Sequence, residues 1–400
     1  MNIEKIEKAH AKLMEFIHNT PLKHSHTFSQ MVNCSLYLKY ENQQKTGSFK
    51  VRGAYNKIST LLETSSPPAV IASSAGNHAQ GVAFAASSLG IKSTIVMPKS
   101  TPIAKVAATE EYGAEIVLYG DCYDDAYNKA MELQQESGAV FIHPFDDEDV
   151  IAGQGTIGLE IFRDLPDVEV VIVPAGGGGL LAGVAYYMKQ VNPKVKVIGV
   201  QSSGADAIVR SFYNAKYTET EKAITIADGI AVKKPGLLTM SLIQKYVDEI
   251  VTISDAEIAA AILLMLERDK QVVEPAGAAS LAVVLNNRSD FAGKKVACVL
   301  SGGNIDVSFI HKIVEKGLVK RGRQLKLRTV MLDKPGSLEK FASIASKCGA
   351  NIIMVQHDRT NADLHLNEAI LHVIFEVSGP KHGNELIQAL EQNGYRVTIE

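Results

Sequence analysis

The chain has 400 residues, 46% of them hydrophobic and 21% charged, with a formal net charge of -3. That length supports two or three domains with buried cores, and the near-neutral balance excludes a basic nucleic-acid footprint and a like-charge tail. Four cysteines (Cys34, Cys122, Cys298, Cys348) are scattered without a CxxC pair, a pattern that favours reduced thiols in a cytoplasmic protein. The opening MNIEKIEKAHAKLMEF is amphipathic and carries acidic residues, so it reads as neither a signal nor a transit peptide.

From about residue 36 to 320, short β-branched runs alternate with alanine-rich helical stretches. Ala69–Ile71, Ser93–Met97, Glu115–Leu118, Val168–Val173, Lys196–Val200 and Lys295–Leu300 read as buried strands. His78–Leu89, Ile103–Tyr112, Asp124–Glu136 and Asp255–Arg268 read as helices between them. This alternation predicts parallel sheet covered by helices, arranged as two open α/β lobes with the smaller near residues 50–150. The most apolar long stretch, Val168–Met188, is broken by Pro174 and four glycines, so it reads as strand, loop and helix rather than a membrane span.

After a basic stretch, Lys316–Arg328, the texture changes. An alternating run (Leu325, Leu327, Thr329, Met331) leads into the turn Asp333-Lys334-Pro335-Gly336. A helix from Ser337 follows, with apolar positions Leu338, Phe341, Ile344, Ala345 and Cys348 and a capping glycine at Gly349. Strands over Asn351–Gln356 and Glu368–Glu376, a helix over Glu385–Gln392 closed by Gly394, and a strand over Tyr395–Ile399 complete a βαββαβ order, the ferredoxin-like split motif. The expected boundary lies near 321–325, giving a domain over 1–320 and another over 326–400.

Four segments at strand ends or helix starts carry the residues suited to chemistry, in the position where open α/β sheets bind ligands. In KTGSFKVRGA, Lys50 stands near a helix start and the apolar Phe49, where a disfavoured ammonium would make it a better nucleophile or base; by itself the segment also fits a solvated surface lysine. In SSAGNHAQG, Ser73, Ser74 and Gly76 form a ready anion seat or an ordinary helix cap, and His78 reads as a packed histidine. In PAGGGGLLAG, Gly176, Gly177, Gly178 and Gly179 let backbone amides close around a phosphate. The pattern Gly177-x-Gly179-x-x-Ala182 also fits a dinucleotide loop, but the next strand ends in Gln201 rather than an acid. In LSGGN, Ser301 offers a neutral hydroxyl at a strand end, or simply a turn.

In combination and in this order, SFKVRGA, SSAGNHAQG, PAGGGGLLAG and LSGGN resemble the fold-type II family of pyridoxal-phosphate enzymes, in particular its threonine/serine dehydratase branch. The resemblance extends over essentially the whole chain. It implies that Lys50 carries pyridoxal 5'-phosphate covalently and that Phe49 packs beside its ring. Asn77 would bond the ring's 3-hydroxyl, Gly176 to Leu180 would cradle the phosphate, and Ser301 would meet the ring nitrogen. Ser73, Ser74 and Gly76 would hold the substrate carboxylate, with Glu274 and Asp228-Gly229 lining the pocket. The implied reaction is β-elimination of an amino acid, L-threonine giving 2-oxobutanoate and ammonia, with L-serine as a second substrate. The C-terminal segment resembles an ACT regulatory domain, implying an amino-acid effector and a homodimer or homotetramer; a pairing module without a ligand is the alternative.

Departures from the family's other branches narrow the expectation. Val51-Arg52 stands where cysteine and threonine synthases carry Asp-Arg. Ala75 stands where racemase-like members place a serine, so racemisation should be weak. Gln201 and Ala207 replace the Glu and Asp of a divalent-cation site, so no metal is expected there. Two rivals remain: a serine-preferring dehydratase or racemase, and a non-catalytic amino-acid-binding regulator, which the joint presence of Lys50, Asn77 and Ser301 argues against.

Overall fold

β-branched residues run together where a strand is buried on both faces, and that is the pattern along this chain. A computed structural model describes every residue except Ser66, Arg288 and 361–364. In residues 1–305 the strands are β1 (Leu22–His24), β2 (Ser35–Lys39), β3 (Ala69–Ser73), β4 (Lys92–Met97), β5 (Glu115–Leu118), β6 (Val140–Phe141), β7 (Val170–Pro174), β8 (Lys196–Ser202), β9 (Glu249–Ile253) and β10 (Lys295–Val299). They form a four-stranded sheet ordered β5-β4-β3-β6 and a six-stranded sheet ordered β1-β2-β10-β7-β8-β9. Every pairing is parallel except that of β1 with β2. The architecture is therefore the two-lobed open α/β arrangement that the alternation implied. Val168–Met188 becomes β7, a glycine loop and the helix Gly179–Val191; among the described residues no helix is long and apolar enough to cross a membrane.

The sheet order gathers the motifs. β2, β10 and β7 are parallel neighbours, so the segments leaving their carboxyl ends (Tyr40 to Lys50, Ser301 to Asn304, and Gly176 to Gly179) emerge along one edge. The helix Glu148–Asp164 then fixes the spacing between two of them. Glycines on it and on its neighbour permit backbone-to-backbone contact: a Cβ on its Gly153 would stand 2.4 Å from the Arg52 carbonyl oxygen, and one on Gly183 of the helix Gly179–Val191 would stand 2.5 Å from the Ile151 carbonyl oxygen. The helix that begins at Lys50 (Lys50–Thr64) and the helix that follows the glycine loop (Gly179–Val191) are thus pressed against the same central helix.

Two residues after Lys50, Arg52 is fully buried and meets two carboxylates. Its Nε and Nη2 donate to Glu41 at 2.8 Å each, and Nη1 and Nη2 donate to Glu160 at 2.7 and 2.9 Å. Buried Lys39 donates to Glu160 at 2.5 Å and to the Thr20 carbonyl at 2.6 Å. Burial alone would push the Glu160 carboxyl up, but Arg52 and Lys39 more than reverse this and hold it at about 2. Two cations and two anions balance, each hydrogen-bonded, which is the condition under which buried charge is tolerated.

Contacts divide the chain into Met1–Ile305 and Asp306–Glu400, earlier than the boundary near 321–325 expected from the sequence. The helix Val307–Lys320 belongs with the second unit, where Lys326 Nζ meets Glu315 Oε1 at 3.4 Å. That unit continues with β11 (Gln324–Leu332), the helix Ser337–Lys347, β12 (Asn351–Asp358), β13 (Glu368–Glu376), the helix Pro380–Gln392 and β14 (Val397–Ile399). Its antiparallel sheet is ordered β12-β13-β11-β14, the ferredoxin-like arrangement. Leu327, Thr329 and Met331 turn inward from β11 as their alternation requires. On Ser337–Lys347, Phe341, Ile344 and Ala345 enter the core; Leu338, expected with them, lies in the first turn and is 41% exposed.

Replacing Arg52 by leucine should remove the cation that Glu41 meets and leave Glu160 with Lys39. The expected cost is roughly 3–5 kcal/mol of folding free energy, read as a lowered urea midpoint at pH 7.

Candidate active site

Lys50 opens the helix Lys50–Thr64, so its side chain springs from the first turn beside the carboxyl edge of the large sheet. Its Nζ donates to the Pro144 carbonyl oxygen at 2.9 Å and lies 5.3 Å from the centre of the Phe49 ring. Burial of the ammonium lowers its pKa from 10.5 to about 8, with the Glu274 carboxyl opposing the shift. An ordinary surface lysine would be almost wholly charged at neutral pH; this one keeps an appreciable neutral fraction.

The first and last motifs are zipped together. Phe49 N donates to the Ser301 carbonyl at 3.1 Å, Gly303 N to the Gly47 carbonyl at 2.8 Å, and Asn304 Nδ2 to the Thr46 carbonyl at 2.8 Å. Ser48 and Gly302 form an antiparallel bridge. The second motif joins through Asn77, the first residue of the helix Asn77–Ser88: its Nδ2 donates to Glu274 Oε1 at 2.7 Å, and its Oδ1 accepts from Asn304 Nδ2 at 2.7 Å. The same helix lies on Lys50, because a Cβ on Gly81 would stand 3.1 Å from the Lys50 carbonyl carbon. Burial raises the Glu274 carboxyl from 4.5 to about 8, helped by Asp228 and opposed by the Asn77 hydrogen bond. At pH 7 this acid is mainly neutral and able to donate a proton in a hydrogen bond. Asp228 itself pairs with Lys105 Nζ at 2.9 Å.

The second motif is not an ordinary capped helix start. Gly76 precedes Asn77 without a side-chain cap. Ser74 Oγ accepts from Gly76 N at 3.2 Å, while Ser73, at the end of β3, keeps a buried hydroxyl oxygen without a protein partner. Ser48 Oγ is buried and unpartnered in the same way. His78 packs inward: Nε2 lies 2.8 Å from the Ile142 carbonyl, and burial and the nearby Lys50 hold its pKa at about 3.

The glycine loop turns at Gly178 (φ +97°, ψ −8°), a left-handed conformation that a side chain would strain, and the helix Gly179–Val191 starts immediately after it. The first-turn amides of a helix lack intrahelical acceptors, so Gly179, Leu180 and Leu181 present N–H groups at the positive end of the helix dipole. A Cβ at Gly177 would fall 2.3 Å from the Phe145 ring, and one at Gly176 would fall 3.1 Å from the Gly229 carbonyl oxygen. The loop is a backbone cradle with no room for side chains. Lys50 and this cradle are joined by the segment that follows β6: Pro144 accepts from the lysine, and Phe145 lies against Gly177 and Gly179.

A phosphorylated aldehyde fits this set of groups: an amine with a depressed pKa, a glycine cradle at a helix N-terminus, an amide beside a neutral acid, and buried hydroxyls awaiting a partner. The structure adds residues that the motif spacing did not single out. Asn304, the last residue of LSGGN, ties Asn77 to Thr46. Pro144 and Phe145 carried no signal beyond an apolar patch after a short strand. At the expected metal-free position, Gln201 Oε1 accepts from Val209 N at 2.9 Å, and Ala207 opens the helix Ala207–Tyr213.

The family model for pyridoxal-phosphate dependent enzymes matches residues 13–302. An L-threonine ammonia-lyase of Thermotoga maritima is 49% identical over 399 residues, covering 100% of this chain and 99% of that protein. The catabolic L-threonine dehydratase TdcB of Escherichia coli is 45% identical over 313 residues, covering 78% of this chain and 95% of that protein. Among solved structures, maize serine racemase superposes with a TM-score of 0.75 at 34% identity, covering 80% of this chain and 98% of that chain.

If burial holds Glu274 neutral, its contribution to stability is complete below about pH 4.5 and is lost as pH rises through about 8. Glu274→Gln does not titrate. Its urea midpoint relative to wild type should therefore rise between pH 5 and pH 8.

Proposed function

Because the chain belongs to the family of pyridoxal-phosphate dependent enzymes, we propose that it is an L-threonine ammonia-lyase that also accepts L-serine. The observation carrying this reading is the Lys50 amine, lowered to about pKa 8 and held by the Pro144 carbonyl at the edge where the four motifs meet. The full-length similarity to threonine ammonia-lyases supports the choice of substrate.

Lys50 would hold the cofactor covalently, with Phe49 beside its ring. The amides of Gly176, Gly177, Gly178, Gly179 and Leu180 would bind its phosphate. Asn77, backed by the neutral acid of Glu274, would bond its ring hydroxyl, and Ser301 would meet its ring nitrogen. Ser73, Ser74 and Gly76 would orient the substrate carboxylate. When bound, pyridoxal phosphate supplies an electron sink for the pair released from the substrate's Cα–H bond. Freed when the substrate's amino group takes its place, the Lys50 amine would accept that proton onto Nζ, a transfer that its lowered pKa suits to neutral pH. The β-hydroxyl would take up a proton and leave as water, and the released enamine would hydrolyse to 2-oxobutanoate and ammonia.

Similarity to a serine racemase keeps racemisation in view. A racemase needs an acid or base on each face of Cα, and this chain carries a methyl group at Ala75, beside the substrate seat. Lys50 would work from one face, so elimination outruns inversion.

The second unit would serve as an ACT-like amino-acid sensor in a cytoplasmic homodimer or homotetramer. Its βαββαβ order supports this, as does the turn at Asp333, whose carboxylate meets Arg359 Nε at 2.9 Å just before the helix Ser337–Lys347. Branched-chain amino acids should change threonine turnover by the full-length chain, and Asp333→Ala should remove that response. A panel without effect would exclude the sensor.

Purified chain should release 2-oxobutanoate from L-threonine and pyruvate from L-serine, with D-serine formation a minor reaction. Lys50→Ala should reduce turnover by at least ~10³-fold. Persistence of threonine elimination in that variant would overturn the assignment.

A further inference from the structure

The segment His143-Pro144-Phe145-Asp146 touches both halves of the site, and only part of it is explained so far. Pro144 accepts from Lys50, and Phe145 packs on the glycine loop. The Asp146 carboxylate does something else. Its Oδ2 accepts from Leu237 N at 3.1 Å and its Oδ1 from Thr239 N at 3.0 Å. These are first-turn amides of the helix Leu237–Tyr246, which lack acceptors within their own helix. Gly236 makes the approach possible, since a Cβ there would fall 2.1 Å from Asp146 Oδ1.

Thr239 is fully buried; its Oγ1 lies 2.7 Å from the Gly177 carbonyl oxygen and 3.1 Å from that of Gly236, and its one proton goes to the nearer, Gly177. Gly236 N also points at that carbonyl, at 3.3 Å. Two donors therefore hold the oxygen of the peptide that joins Gly177 to Gly178. A trans peptide is planar, so fixing its oxygen fixes the opposite direction of its N–H. That N–H belongs to Gly178, the left-handed residue at the turn of the cradle.

The position of Asp146 is itself held. His143 Nδ1 accepts from Phe145 N at 3.3 Å and from Asp146 N at 2.8 Å, which requires that nitrogen to be unprotonated. Burial lowers the pKa of His143, opposed by Asp146 and assisted by Lys50, in keeping with that role.

Building on the assignment of Gly176 to Leu180 as the phosphate seat, we propose that Asp146 and Thr239 are positioning residues for that seat. Asp146 anchors the start of the helix Leu237–Tyr246, and Thr239 on that helix orients the Gly177–Gly178 peptide so that its N–H faces the phosphate. Neither residue needs to touch the cofactor. Because Asp146 lies two residues from the carbonyl that receives Lys50, one short segment sets the distance between the amine and the phosphate seat.

The test compares full-length wild type, Asp146→Ala, Thr239→Val and Thr239→Ser by titration with pyridoxal 5'-phosphate and, in parallel, with pyridoxal, which has the same aldehyde and ring but no phosphate. Absorbance reports binding. Wild type should favour the phosphorylated form strongly. Asp146→Ala and Thr239→Val should weaken binding of pyridoxal 5'-phosphate by roughly tenfold and leave pyridoxal unchanged. Thr239→Ser, which keeps the hydroxyl, should behave as wild type. An unchanged preference in both Asp146→Ala and Thr239→Val, or an equal loss of both ligands, would overturn the proposal. Should Asp146→Ala fail to fold, the valine and serine variants at position 239 decide by the same criteria. If wild type itself did not distinguish the two compounds, the assignment of the phosphate seat would fail instead.

Discussion

An ammonium partly withdrawn from water must find a partner or hold its proton less tightly, and half-buried Lys50 has little more than one carbonyl oxygen to rely on. The nearby carboxyl, Glu274, cannot compensate, because its own burial keeps it largely neutral and its Oε1 is already bonded to Asn77. Two ionisable groups are thus held near pKa 8, neither stabilising the other's charge in full. An amine in this state is suited to attack an aldehyde and to take up a proton at neutral pH. A neutral acid beside an amide is suited to hold the oxygen of a bound ring.

Such a site is costly to maintain, and the fold supplies the support a few residues away. Arg52, one helical half-turn beyond Lys50, is locked by Glu41 and Glu160, and Glu160 is further held by Lys39. Glu41 and Lys39 flank the carboxyl end of β2, and Glu160 lies on the helix Glu148–Asp164. The buried network therefore pins the start of the Lys50 helix to both the sheet and the central helix. The apolar surroundings lower the pKa of Lys50, while full pairing keeps Arg52 charged; the difference lies in the number of carboxylate contacts each cation makes.

Much of this was legible in the sequence because the functional requirements there are local. A glycine run between a strand and a helix is able to seat a phosphate by backbone alone, and a strand-to-helix junction with serines and an asparagine places polar groups at a sheet's carboxyl edge. The C-terminal unit was readable because its alternation and turn glycines follow its own short-range periodicity. The helix Glu148–Asp164 has no clear local signature. Gly153, Gly155 and Gly158 weaken its helical signature, and they are present because neighbouring backbones press against it. The partners of Lys50 and Asn77 were also hidden: Pro144 lies 94 residues from Lys50, and Asn304 lies 227 residues from Asn77. Such pairings follow from sheet order, which no local pattern encodes. Val307–Lys320 is an ordinary amphipathic helix, and which unit it joins depends on packing that its own sequence does not encode.

Reduction followed by peptide mapping tests the proposed covalent attachment at Lys50 directly. Borohydride treatment of the coloured full-length protein, digestion and mass spectrometry should find the pyridoxyl mass on the peptide containing Ser48-Phe49-Lys50 and on no other lysine. A label on Lys39, Lys105 or another lysine, or a coloured protein from which no labelled lysine can be recovered, would contradict it.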